Sequence, residues 1–108
     1  MYASDLLRAR ETGEAVAEAS CAPLEVRETL RERAFGKWEG LTNDELTERF
    51  PDEMTAYRAD RDGFVPPGGQ SWKAFAGTAV AAIEQIADEH DGEPIAVVSH
   101  GGPIKAFI

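Results

Sequence analysis

The run Ile95-Ala96-Val97-Val98, closed by Ser99-His100-Gly101-Gly102-Pro103, constrains the fold of this chain more than any other stretch. Four consecutive apolar residues, mostly β-branched, leave no polar face for water, and so predict a strand buried on both faces of a mainly parallel sheet. The glycines end that strand. Pro103 suits the first turn of a following helix, where a missing N–H is no loss. Upstream, Trp72, Phe75, Ala76, Ala79, Val80, Ile83, Ile86 and Ala87 recur at spacings of three and four. They predict a long amphipathic helix, capped by Ser71 and ending near His90 and Gly92. Helix, buried strand, glycine turn and helix start, in that order, are α/β architecture with a right-handed crossover.

The rest of the chain is punctuated by shorter signals. Ser4 to Ser20 reads as one helix entered near Ser4, with Leu7, Arg8, Glu11, Ala15, Val16 and Ala19 among its helix formers. Leu24-Glu25-Val26 alternates apolar and polar, as a short strand does. Gly36-Lys37-Trp38-Glu39-Gly40 is an aromatic turn bracketed by glycines. Thr42 and Glu45 have the spacing of a capping box for a helix reaching about Phe50, where Pro51 stops it. Asp52 to Ala59 predicts a second short helix, and Pro66-Pro67-Gly68-Gly69 a tight turn that no regular element can absorb.

Bulk properties exclude several classes. With 20 acidic against 11 basic residues and a formal charge of -9, the chain lacks the clustered lysine and arginine that drive binding to nucleic acid or anionic membrane. A small anionic ligand would need a local positive pocket. Cys21 is the sole cysteine, which rules out an intrachain disulfide and a cysteine-rich zinc site and makes the cytoplasm the default compartment. No apolar run approaches the roughly 20 residues of a membrane span, and Met1 is not followed by a signal-peptide pattern.

Where chemistry resides follows from the predicted sheet. Ligands of open α/β sheets sit at the carboxyl ends of strands, and His100 stands at such an end, with Gly101 and Gly102 allowing close approach. Its imidazole could donate to a phosphoryl oxygen, or it could be a polar strand-end residue satisfied by a loop. Arg8, with Thr12 one turn on, could meet an anion or be a solvated helix charge. Glu32, between Arg31 and Arg33, could be a tuned proton donor or part of a surface ion cluster. His90, beside Glu89 and Asp91, reads as a surface residue at a helix terminus.

In order along the chain, Ser4-Asp5-Leu6-Leu7-Arg8-Ala9-Arg10-Glu11-Thr12, Leu30-Arg31-Glu32-Arg33-Ala34-Phe35-Gly36-Lys37-Trp38-Glu39-Gly40, Pro66-Pro67-Gly68-Gly69-Gln70-Ser71 and Val97-Val98-Ser99-His100-Gly101-Gly102 resemble the motifs of the histidine phosphatase, or phosphoglycerate mutase-like, superfamily. The resemblance implies a three-layer α/β/α fold with a mainly parallel sheet, residues 1–108 forming part of one such domain. It also implies phosphoryl transfer through a phosphohistidine formed on an Arg-His-Gly histidine, with no metal or other cofactor and a small phosphorylated substrate. By motif position Glu32 and His100 would be catalytic, and Arg8, His100 and Gly101 would bind the phosphoryl group.

No Arg-His-Gly occurs in these 108 residues, and the family places that motif on a strand upstream of the position of Ser4. The chain is therefore expected to be incomplete at its N-terminus and after Ile108, to be inactive alone, and to expose an unpaired edge along Ile95 to Val98. Gln70 stands where the family usually has Glu, Thr78 where an arginine is common, and Lys105 in place of an arginine. The competing expectation is a module that binds a phosphorylated ligand, or a protein partner, without catalysis. Oligomeric state is not legible.

Overall fold

A computed structural model describes residues 1–108. In chain order it contains β1 (Tyr2–Ser4), α1 (Leu7–Ser20), β2 (Glu25–Arg27), α2 (Asn43–Arg49), α3 (Pro51–Ala59), α4 (Trp72–Glu89), β3 (Val97–Val98) and α5 (Gly101–Phe107). Single 3-10 turns lie at Glu28–Leu30 and Gly36–Trp38. No helix is long and apolar enough to cross a membrane. The chain divides into two compact units, one of Met1–Glu32 with Ala76–Ile108 and one of Arg33–Phe75.

The first unit holds the sheet, with strand order β2-β1-β3 and every pair parallel. Tyr2 is level with Val97 and Ala3 with Val98. Neighbouring strand residues point to opposite faces, so Tyr2 and Ala3 show what covers each side. Tyr2 packs in a core with Leu30 and with Ala82 and Ile86 of α4. Ala3 faces α1, because a Cβ placed on Gly13 would lie 2.8 Å from the Ala3 Cβ. Helices thus cover both faces of β1, the three-layer arrangement expected of the α/β pattern.

The face α1 turns to the sheet is made of Ala9, Gly13 and Ala17, all buried at four-residue spacing, while Leu7 and Val16 are exposed. Small residues let the helix backbone lie close to the strand. Gly13→Val should therefore lower the unfolding free energy by about 1–3 kcal/mol, the usual cost of overpacking, which urea denaturation would read.

Three sequence expectations need correction here. Ser4 does not open the first helix: Tyr2–Ser4 is a strand and the helix starts at Leu7, because β1 is paired on both sides along so short a segment that no period-two pattern is visible in it. Nor is the run from Ile95 buried on both faces: only Val97 and Val98 form β3, both are half-buried, and Ile95 is 37% exposed. Within these residues β3 pairs with β1 alone and stands at the edge of the sheet. The second strand is displaced by one residue, to Glu25–Arg27.

In the second unit the Glu45 N–H donates to Thr42 Oγ1 at 3.2 Å, as the capping spacing predicts, and Pro51 ends α2 by opening α3. Trp38, Leu46 and Met54 form its core with Phe50, Tyr57 and Phe64 against them, the Trp38 and Phe64 rings stacked 5.1 Å apart. The Pro66–Gly69 turn is tied to the Gly36 turn by Lys37 N–H donating to the Pro67 carbonyl at 2.9 Å. Gln70 accepts from the Ala34 N–H at 3.1 Å through Oε1, and its carbonyl accepts from Arg33 Nε at 3.1 Å. A neutral amide oxygen is sufficient for that contact.

Candidate functional site

The carboxyl ends of β1 and β3 are adjacent, so the segments leaving them converge. After Val98 the chain passes through Ser99, whose hydroxyl donates to the Leu30 carbonyl at 2.6 Å, and reaches His100 just before α5. His100 is buried, and its Nε2 lies 2.8 Å from Ser4 Oγ at the end of β1. Beyond Ser4, Leu6 is extended and α1 begins, bringing Arg8 and Thr12 to the same end of the sheet. Glu32 arrives from the segment after the Glu28–Leu30 turn, and its Oε2 accepts the Gly102 N–H at 3.1 Å.

Arg8, Thr12, Glu32, Ser99, His100 and Gly101 line one cavity of about 430 Å³. All the residues expected to act on a phosphoryl group are among them. A Cβ on Gly101 would meet no protein atom within 4 Å, so open space lies where a side chain would stand. Thr12 contributes less than its position promised: its hydroxyl donates back to the Arg8 carbonyl at 3.1 Å, which leaves it able to accept from a ligand but not to donate to an anion.

The charges around the cavity are arranged in two groups. Asp5 and Arg31 form a two-pronged pair, with contacts of 2.7 and 2.5 Å, and the guanidinium hydrogen bond holds the Asp5 carboxyl below its ordinary range. Arg31 thus answers Asp5 and Glu28. Arg33 Nε donates to the Gln70 carbonyl, and its guanidinium lies 4.7 Å over the Phe35 ring. Burial, reinforced by the positive charge of Arg8, lowers the pKa of His100, with Glu32 and Asp5 acting the other way. A neutral imidazole with a guanidinium and a carboxyl around it can bind a compact anion, donate a hydrogen bond to it and exchange a proton with a group attached to it.

No group of three or more histidine, cysteine and carboxylate side chains is arranged to hold a metal ion. His90 directly follows α4 and is partly exposed, as expected from sequence, with Nδ1 3.4 Å from Glu93. Its Nε2 lies 2.6 Å from Tyr2 OH, which also donates to Glu89 at 3.3 Å, and Arg27 sits 4.7 Å over the tyrosine ring. Ser4, which contacts His100, and the Asp5–Arg31 pair were not singled out by local sequence; only their place within the quoted motifs could have marked them.

The profile of the histidine phosphatase superfamily (branch 1) matches residues 1–108. Phosphoglycerate mutase-like protein 4 of Arabidopsis thaliana is 39% identical, the match covering 99% of this chain and 47% of that protein. The metal-independent phosphoserine phosphatase of the same plant is 37% identical, over 99% of this chain and 46% of its own length. Among solved structures, Bacillus stearothermophilus YhfR superposes with a TM-score of 0.81 at 32% identity, covering 97% of this chain and 52% of that one. The chain spans about half the length of the curated relatives it matches.

Proposed function

Because this chain belongs to the histidine phosphatase superfamily, we propose that the protein of which residues 1–108 form part of one domain hydrolyses a phosphomonoester through a phosphohistidine intermediate. The observation that carries this reading is the convergence of Arg8, Glu32 and His100 on one cavity at the carboxyl ends of parallel strands. Arg8 balances the charge of the phosphoryl oxygens, and His100 donates a hydrogen bond to one of them that strengthens as charge builds in transfer. The space at Gly101 admits the phosphoryl group. The attacking histidine is one outside these 108 residues, since neither His90 nor His100 lies in an Arg-His-Gly motif.

The reaction divides into two displacements. In the first, the nucleophilic nitrogen bonds to phosphorus while the ester P–O bond breaks, and Glu32 passes a proton to the departing oxygen. In the second, Glu32 takes a proton from water, the water oxygen bonds to phosphorus, and the N–P bond breaks to release inorganic phosphate. No metal is required, in keeping with the name of the phosphoserine phosphatase relative. The substrate is a small phosphorylated metabolite, and the compartment is the cytoplasm, which a chain with one cysteine suits. Without the Arg-His-Gly histidine these residues would still make a phosphate-binding module, so binding is tested apart from turnover.

Inorganic phosphate titrated into the 108-residue chain, followed by NMR of the His100 ring, provides that test. The free imidazole should titrate below its ordinary value, and bound phosphate should move the midpoint upward, because an anion favours the charged imidazole. Stability should also fall as pH drops through the ordinary histidine range towards the lowered value, since the unfolded chain takes up the proton first. Phosphate that leaves His100 unperturbed at every pH would overturn the binding role of the cavity.

A further inference from the structure

The Ser4 hydroxyl is wholly buried and has two hydrogen-bonding neighbours: the Leu6 N–H, 3.3 Å away, and His100 Nε2, 2.8 Å away. Leu6 can only donate. A buried hydroxyl hydrogen left without an acceptor costs about 1–3 kcal/mol, and the acceptor within reach here is His100 Nε2. Ser4 therefore donates to Nε2 through its O–H while accepting from Leu6. Nε2 must then present a lone pair, and the ring proton of the neutral imidazole must sit on Nδ1. That nitrogen makes no hydrogen bond within the protein and is not sealed from solvent, and His100 lines the cavity it shares with Arg8 and Glu32.

We propose that Ser4 is a positioning residue that fixes the tautomer and the ring orientation of His100, so that a single N–H, on Nδ1, is offered to whatever occupies the cavity. Burial and Arg8, against Glu32 and Asp5, lower the pKa of His100 and so favour the neutral ring, in which the choice of tautomer is meaningful. Nδ1 becomes a committed donor and Nε2 a committed acceptor. That Nδ1–H meets a phosphoryl oxygen rests on the function proposed above; that Ser4 sets the tautomer does not.

Long-range 1H–15N spectra of the uniformly labelled 108-residue chain, recorded where His100 is neutral, test the assignment. The signal lost in His100→Ala identifies the ring. The expected result is an Nδ1 with the shift of a protonated nitrogen and an Nε2 with that of an unprotonated one. Ser4→Ala should mix the two forms, and Ser4→Thr, which restores a hydroxyl, should recover the single form. The His90 signals, held by Tyr2 on the same strand, report that the sheet is intact in each variant. A protonated Nε2 in the parent chain, or a single Nδ1–H form persisting in Ser4→Ala, would overturn the proposal. Phosphate affinity provides the separate reading: Ser4→Ala should weaken it about tenfold, the effect of one misdirected hydrogen bond. Expected tautomers with no phosphate binding in any variant would sustain the role of Ser4 and remove the phosphatase assignment instead.

Discussion

His100→Ala should lower kcat/KM for an aryl phosphate by about a hundred- to a thousandfold in a protein that joins this chain to a strand bearing Arg-His-Gly. The size follows from what the ring does at its position. The ring is buried and held by Ser4 at a cavity of about 430 Å³ that Arg8 and Glu32 also line, so the donor is in place before an anion arrives. Deleting one preorganised donor aimed at developing charge has this cost in enzymes generally. Arg8→Ala should produce a loss of similar order. Arg8→Lys should not restore it, because a point charge cannot reproduce a planar guanidinium. Glu32→Gln should slow substrates with poor leaving groups far more than those with good ones, since only the former need the proton. Equal losses for both classes would move Glu32 from proton transfer to holding the Gly102 amide.

The largest stability effect is expected from Gly36→Ala. Gly36 has a φ of +59°, a region that disfavours any residue with a Cβ by about 1–2 kcal/mol. The added carbon would also lie 2.1 Å from the Pro67 carbonyl oxygen and 2.5 Å from the Gly68 carbonyl carbon. Both are backbone atoms, so no rotamer relieves the contact, and the Lys37 to Pro67 hydrogen bond must open. Strain and overpacking together amount to about 2–5 kcal/mol, a large part of the roughly 5–15 kcal/mol available to a domain. Near-UV circular dichroism would show it first, because Trp38 lies in the core of the same unit. Gly77→Ala is the control: a Cβ there meets nothing within 4 Å, and alanine in a helix interior should raise stability by up to about 1 kcal/mol. Equal melting of the two variants would mean that the Gly36 turn gives way without cost.

How much of this was readable in advance depended on the length of each pattern. The eighteen residues of α4 carry several helical periods, and the Ser71 cap is realised by a 3.1 Å bond from the Ala74 N–H, so both were legible. The same holds for Thr42 with Glu45, and for Pro51, where local chemistry alone decides the outcome. Tyr2–Ser4 was not legible, because three residues carry no period and their strand character comes from partners at residues 25–27 and 97–98. The inward face of α1 was missed for a related reason: alanine and glycine at 9, 13 and 17 do not announce burial as leucine would. Of the site, His100 was visible from the glycine turn behind it. Arg8 and Glu32 were ambiguous, since a guanidinium and a carboxyl look alike on a surface and in a cleft until the fold brings them to one cavity.

The small-residue seam between α1 and β1 also bears on accuracy. Long side chains at a helix contact can change rotamer and let the helix rock; methyl groups and a bare glycine have no rotamers to change. The helix at Ala9 and Gly13 is consequently seated without mechanical slack, and the Cα of Arg8, one residue from the first tooth of that seam, inherits its tolerance from the strand itself.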